Sequence, residues 1–147
     1  MYTITKKAIV FHSCKSMFEL VDSVENYPDF LKWCGSTKII KRNNEITIAE
    51  IQINFKGISQ KFTTKNKKKY PNIMQINLID GPFKMLTGSW IFKEIEKNSC
   101  AIEFKVQYEF KNLLIDSIIS PVFKYISNTL IDNFIEKANQ SVFEKKK

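Results

Sequence analysis

From Cys100 to Phe110 the chain alternates strictly: Cys100, Ile102, Phe104, Val106, Tyr108 and Phe110 are apolar, while Glu103, Lys105, Gln107 and Glu109 between them are polar. Successive side chains on a strand point to opposite faces, so this run is a strand with one buried face and one wet face. Strands of that kind belong to antiparallel sheets covered on one side, and some other part of the chain has to supply the cover. The last third offers a candidate. Val122, Phe123, Ile126, Leu130, Phe134, Ala138 and Val142 recur at steps of three and four, the stripe of a helix lying across a sheet. Ser120 before Pro121 has the form of an N-cap followed by proline at the first helical position, which predicts a helix start there, after a short separate apolar segment ending at Ile119. Residues 145–147 are expected to fray.

Period two governs most of what comes before. Residues 2–11 form a first strand rich in β-branched residues. Ser13 then caps a helix whose Met17, Phe18, Leu20, Val21 and Val24 make one apolar face. Pro28 opens a second short helix that sets Phe30, Leu31 and Trp33 side by side, and Gly35 breaks it. Further on, Ile46 and Ile48 are even-numbered while Ile51, Ile53 and Phe55 are odd, which predicts a β-bulge at Ala49-Glu50. Gly57 turns the chain into a strand with Ile58, Gln60, Phe62 and Thr64 on one face. Ser59, Lys61, Thr63, Lys65, Lys67 and Lys69 line the other. Tyr70-Pro71-Asn72, Asp80-Gly81-Pro82 and Lys97-Asn98 are turns. Between them Met74, Ile76 and Leu78, and then Leu86, Gly88, Trp90 and Phe92, continue the inward face. The order of a strand, two short helices, about six further strands and a long helix is α+β. A sheet of that size curls, and one helix in its hollow can leave a cavity.

Composition narrows the function. At 147 residues and 44% hydrophobic, the chain buries a good core but leaves little room for a second domain, so residues 1–147 are read as one. No stretch has the length and pattern of a secretory h-region or a membrane span, which points to the cytoplasm. Three scattered cysteines, Cys14, Cys34 and Cys100, fit neither a disulfide framework nor a metal site. Cys34 beside the lone His12 lacks the context of a nucleophile, so both are read as ordinary packed residues and no catalytic or metal-ligating residue is assigned. The net charge is +8, yet among 23 basic residues Arg42 is the single arginine. AT-rich codons alone supply lysine, and the scarcity of bidentate arginine argues against a sequence-specific nucleic-acid reader.

Several segments resemble one family in order along almost the whole chain. They are Met17-Phe18-Glu19-Leu20-Val21-Asp22, Tyr27-Pro28-Asp29-Phe30-Leu31, Phe62-Thr63-Thr64, Asp80-Gly81-Pro82-Phe83-Lys84 with Leu86, Gly88, Trp90 and Phe92, and Tyr108-Glu109-Phe110-Lys111-Asn112-Leu113-Leu114. Together they resemble the START-like family of bacterial ribosome-association toxins (RatA) and mitochondrial coenzyme Q-binding proteins, within the polyketide cyclase-like superfamily. The family often has Pro before its Trp-Cys pair, where this chain has Lys32.

The resemblance implies a helix-grip (START-like, Bet v 1-like) fold of six or seven strands around the long helix. It implies a non-enzymatic role that requires no cofactor. The bacterial branch binds the large ribosomal subunit and hinders subunit association; the mitochondrial branch binds ubiquinone-like lipids and supports respiration. An aromatase- or cyclase-like enzyme on the same fold needs convergent acid and base groups, and no motif supplies them. Expected partners are the large subunit, a bound ubiquinone or other isoprenoid or acyl lipid, an antitoxin protein and a peripheral membrane surface. Phe30, Trp33, Leu86, Trp90, Phe104, Tyr108 and Phe123 are the candidate cavity lining, though inward aromatics are more often plain core. Asp80, Gly81, Pro82 and Phe83 are a candidate cavity-mouth loop or a simple tight turn. Lys61, Lys65, Lys67 and Lys69 are candidate contacts to ribosomal RNA, or a guard against edge-to-edge strand pairing.

Overall fold

The computed structural model describes residues 1–146, with side chains through Ser141. Period-two segments become the strands β1 (Tyr2–Val10), β2 (Cys34–Arg42), β3 (Ile46–Phe55), β4 (Ile58–Lys69), β5 (Ile73–Asp80), β6 (Phe83–Glu96) and β7 (Ser99–Phe110). They form one antiparallel sheet in the order β1-β7-β6-β5-β4-β3-β2. Because β1 and β2 are opposite edges, the segment joining them crosses the sheet's hollow. That segment carries α1 (Cys14–Asp22), a 3-10 turn (Val24–Asn26) and α2 (Tyr27–Phe30). Ser13 caps α1 as its sequence predicts, its hydroxyl accepting from the Ser16 N–H at 3.1 Å. Lys56 and Gly57, both at positive φ, make the two-residue hairpin between β3 and β4.

The parity switch in β3 is resolved without a bulge on that strand. Its pairing with β4 is regular from Ile46 opposite Lys67 to Phe55 opposite Ile58. Thr47, Ala49, Ile51 and Ile53 all face inward, and Ile46 and Ile48 lie on the outer face. The expected bulge at Ala49-Glu50 is therefore absent; the extra residue is Ile40 on β2, between Ile39 opposite Ala49 and Lys41 opposite Ile48. An apolar side chain marks the core face only where the ladder needs it, and small Ala49 and Thr47 suit a position under other side chains. Ile79 and Ile95 likewise fall at register shifts, and all three isoleucines are about half exposed. Bulged residues leave the ladder and bend the strand, which curls the sheet.

The long helix α3 spans Leu113–Lys146. It begins eight residues before Pro121, so Ser120 is not its cap. Asn112 is: its Oδ1 accepts from the Ile115 N–H at 2.9 Å and its carbonyl from the Asp116 N–H at 3.0 Å. Pro121 sits inside the helix, where its missing N–H leaves the Ser117 carbonyl without its usual partner. Val122, Phe123, Ile126, Phe134 and Ala138 are buried against the sheet, as their spacing predicts, together with Ile119 and Ile131. The Val142 side chain and Lys147 lie outside the described residues. Lys145 and Lys146 continue the helix where fraying is expected.

Candidate ligand cavity and basic sheet face

The inward rows of β3 to β7 and the buried stripe of α3 do not close completely. Between them is a cavity of about 100 Å³. Of the predicted lining, Trp33, Leu86, Trp90, Phe104 and Phe123 are on its wall. Trp90 is packed 4.7 Å from Phe104 and 5.5 Å from Phe134, ring centre to ring centre. Two predicted residues are elsewhere. Tyr108 is fully buried among Tyr2, Phe83, Phe110 and Phe123 beyond the cavity's end, and Phe30 faces an outer groove. The volume is also below the ~300–1,000 Å³ usual for ligand pockets, so the expected room for an isoprenoid or acyl chain is not open in this conformation.

Sequence reasoning missed the wall's polar residues. Thr64, Asn66 and Ser127 are all buried there, and the Thr64 hydroxyl donates to Asn66 Oδ1 at 3.0 Å. The signal was available, since extending the inward even-numbered set of β4 beyond Thr64 puts Asn66 and then Lys68 on the core side.

Among the described residues, the cavity wall carries no carboxylate, imidazole, amine or thiol. Its one titratable side chain is Tyr27, whose hydroxyl donates to the Val21 carbonyl and whose pKa is driven well above the usual phenol range, first by burial and then by the nearby Asp22 charge. Cys34 and Cys100 are free thiols that burial pushes up to about 11 and about 12. They are protonated near neutrality and weak as nucleophiles. His12 bonds Asn139 at 2.7 Å while Cys34 Sγ donates to the Ser36 carbonyl at 3.8 Å, so no bond joins the two residues.

Asp80, Gly81, Pro82 and Phe83 make a tight β5–β6 turn. Gly81 has φ +148° and donates its N–H to Asp80 Oδ1; the Pro82 carbonyl accepts from the Lys111 N–H. Phe83 is buried 5.0 Å from Phe123. None of the four is on the cavity wall, and Phe83 packs behind the wall residues Phe62 and Phe123.

Lys61, Lys65, Lys67 and Lys69 all point to the outer face, as alternation predicts. Among them Lys61 has an acidic neighbour, Glu50 at 3.9 Å. From Thr63 to Lys69 β4 is paired with β5 as well as with β3, so Lys65, Lys67 and Lys69 guard no edge, whereas Lys61 lies in the stretch paired with β3 alone.

Residues 10–135 match the profile of a family described as polyketide cyclase / dehydrase and lipid transport. The ribosome association toxin RatA of Escherichia coli K12 is 34% identical over 140 residues, spanning 95% of this chain and 89% of that protein. The mitochondrial coenzyme Q-binding protein of Drosophila melanogaster is 29% identical over 140 residues, spanning 92% of this chain and 58% of that one. Among solved structures, the Zhui aromatase/cyclase from a Streptomyces species superposes with a TM-score of 0.84 at 10% identity over 96% of this chain and 95% of that one, a likeness of fold alone. An 18 kDa protein from Caulobacter crescentus superposes with a TM-score of 0.72 at 26% identity over 95% of this chain and 97% of its own. The chain belongs to the polyketide cyclase / dehydrase and lipid transport family, in the branch that holds the ribosome-association toxins and the coenzyme Q-binding proteins.

Proposed function

We propose that this chain is a non-enzymatic binding protein of the cytoplasm that docks on the large ribosomal subunit through the outer face of its sheet and hinders association with the small one. The observation that carries this reading is the row Lys61, Lys65, Lys67 and Lys69 on an interior strand. Residues two apart on a strand stand ~6.6–6.8 Å apart, near the spacing of successive phosphates along a nucleic-acid backbone. Contacts of this type are electrostatic and carry little sequence preference. The names of the bacterial relatives support the reading. The test is co-sedimentation with purified large subunits, followed by addition of small subunits: bound protein should lower the yield of joined ribosomes, and no effect on joining rejects the reading.

A second reading, binding of ubiquinone or another apolar lipid, is favoured by the cavity under α3 and by the coenzyme Q-binding relative. Occupancy requires the cavity to widen. Extraction of the purified protein and mass spectrometry of the extract should recover a quinone or lipid; a protein that carries none, and takes up none when offered, rejects this reading.

A further inference from the structure

Trp33 is 5% exposed, and its indole N–H is buried without a hydrogen-bond partner. Buried indole N–H groups nearly always find an acceptor, so an orphan of this kind needs an explanation. Its position supplies one. On one side Trp33 forms part of the inner cavity's wall; on the other it forms part of an outer groove of about 350 Å³. Phe30, Phe55 and Tyr125 are the groove's aromatic walls, and Lys32 and Lys137 are among its polar residues. The two spaces share no other lining residue among those described. The Trp33 carbonyl accepts from the Asn54 N–H at 2.8 Å, which ties the backbone to β3 and leaves the side chain as the part able to move.

We propose that Trp33 is the partition and polar anchor of a single ligand site that runs from the outer groove into the inner cavity, its indole N–H donating to a carbonyl oxygen on an otherwise apolar ligand. The inference rests on the lipid-binding reading and goes beyond it by naming the donor, the route and the functional group recognised. Rotation of the indole joins the two spaces into a volume of ligand size. The apolar part of the ligand then lies against Trp90, Phe104 and Phe134, and the carbonyl stays at the partition. Quinone rings and acyl esters share this chemistry.

Three probes separate the outcomes: butylbenzene, a fully ring-substituted butylbenzoquinone, and methyl hexanoate. Indole N–H resonances are followed by nitrogen–proton NMR in the full chain, with Trp33 distinguished from Trp90 by the W33F variant. A carbonyl probe should move the Trp33 N–H signal downfield, and butylbenzene should not. W33F keeps an aromatic ring but removes the donor, and should weaken the carbonyl probes about tenfold relative to its effect on butylbenzene, the worth of one buried hydrogen bond. A response to the quinone alone or to the ester alone supports the anchor and identifies its class. Equal responses to butylbenzene and the carbonyl probes, in signal and in W33F affinity, overturn the anchor while the cavity reading stands. No binding by any probe overturns both. The downfield shift is read on the wild type, and W90F gives the same assignment of the two indole signals where W33F does not fold.

Discussion

Lys68 Nζ lies 3.0 Å from Asp22 Oδ2, joining the core side of β4 to the end of α1. The other oxygen of Asp22 accepts from the Thr47 hydroxyl at 2.9 Å. Lys68 is thus the inward member of a lysine-rich run whose neighbours Lys67 and Lys69 point outward, and its side chain is 6% exposed. Breaking a buried pair leaves the surviving charge desolvated without its partner. Asp22→Asn should therefore lower the unfolding free energy by about 1–3 kcal/mol, discounted because Asp22 is itself partly exposed. Lys67→Gln should change it by less than ~0.5 kcal/mol. Urea denaturation of both variants checks this; equal effects contradict the assigned directions of the two lysines.

The start of α3 can be tested through its two candidate caps. Asn112→Ala should cost ~1 kcal/mol, the usual worth of an N-cap. Pro121→Ala should stabilise the protein by about 1–3 kcal/mol, because it restores a backbone donor inside a helix. A helix that instead begins at Pro121 gives the opposite pattern, with Asn112→Ala silent and Pro121→Ala neutral or harmful. Thermal or urea unfolding of the two variants decides.

Burial favours the neutral forms of the Cys34 and Cys100 thiols, raising them to about 11 and about 12. A group whose folded value lies above its unfolded one stabilises fully while both states hold the proton, below the unfolded thiol's ~8.5. That contribution is lost as pH rises through the folded value. Stability should therefore fall from about pH 8.5 towards pH 12, and Cys34→Ala should flatten the part of the decline up to about 11. Urea midpoints measured across that range for wild type and variant give the comparison; parallel curves remove Cys34 as a cause.

The sheet, the turns and the buried stripe of α3 were legible because each rests on side-chain period, which depends only on backbone geometry. Pro121 misled because Ser-Pro at a helix start and proline tolerated inside a long helix look identical locally; tertiary packing of Ile119 and Ser120 against the core made the difference. The expected position of the bulge is wrong because Ile46 and Ile48, though apolar, are on the outer face. Their alternation was correct, but which face was inside depended on Ala49 and Thr47 lying under other residues, a fact no single strand contains. Five of the seven predicted cavity residues are on the wall. Tyr108 shares the inward direction but not the position along the cavity, and Phe30 turns to the outer groove instead. Trp33's second role, facing the groove as well, follows from how α2, β3 and α3 meet and has no sequence signature.

Contact between the lysine face of β4 and ribosomal RNA is measured most directly as the affinity for purified large subunits at several salt concentrations. Wild type is compared with a variant in which Lys61, Lys65, Lys67 and Lys69 are all changed to Gln. Each phosphate neutralised releases condensed counterion, so wild-type binding should fall steeply with salt, at a log–log slope of roughly −3 to −4 for ~4 contacts. The variant should bind weakly with a slope close to zero. These side chains are on the outer face, so its unfolding curve should match that of the wild type. Unchanged affinity and slope in a folded quadruple variant, or no subunit binding by either protein, contradicts the claim.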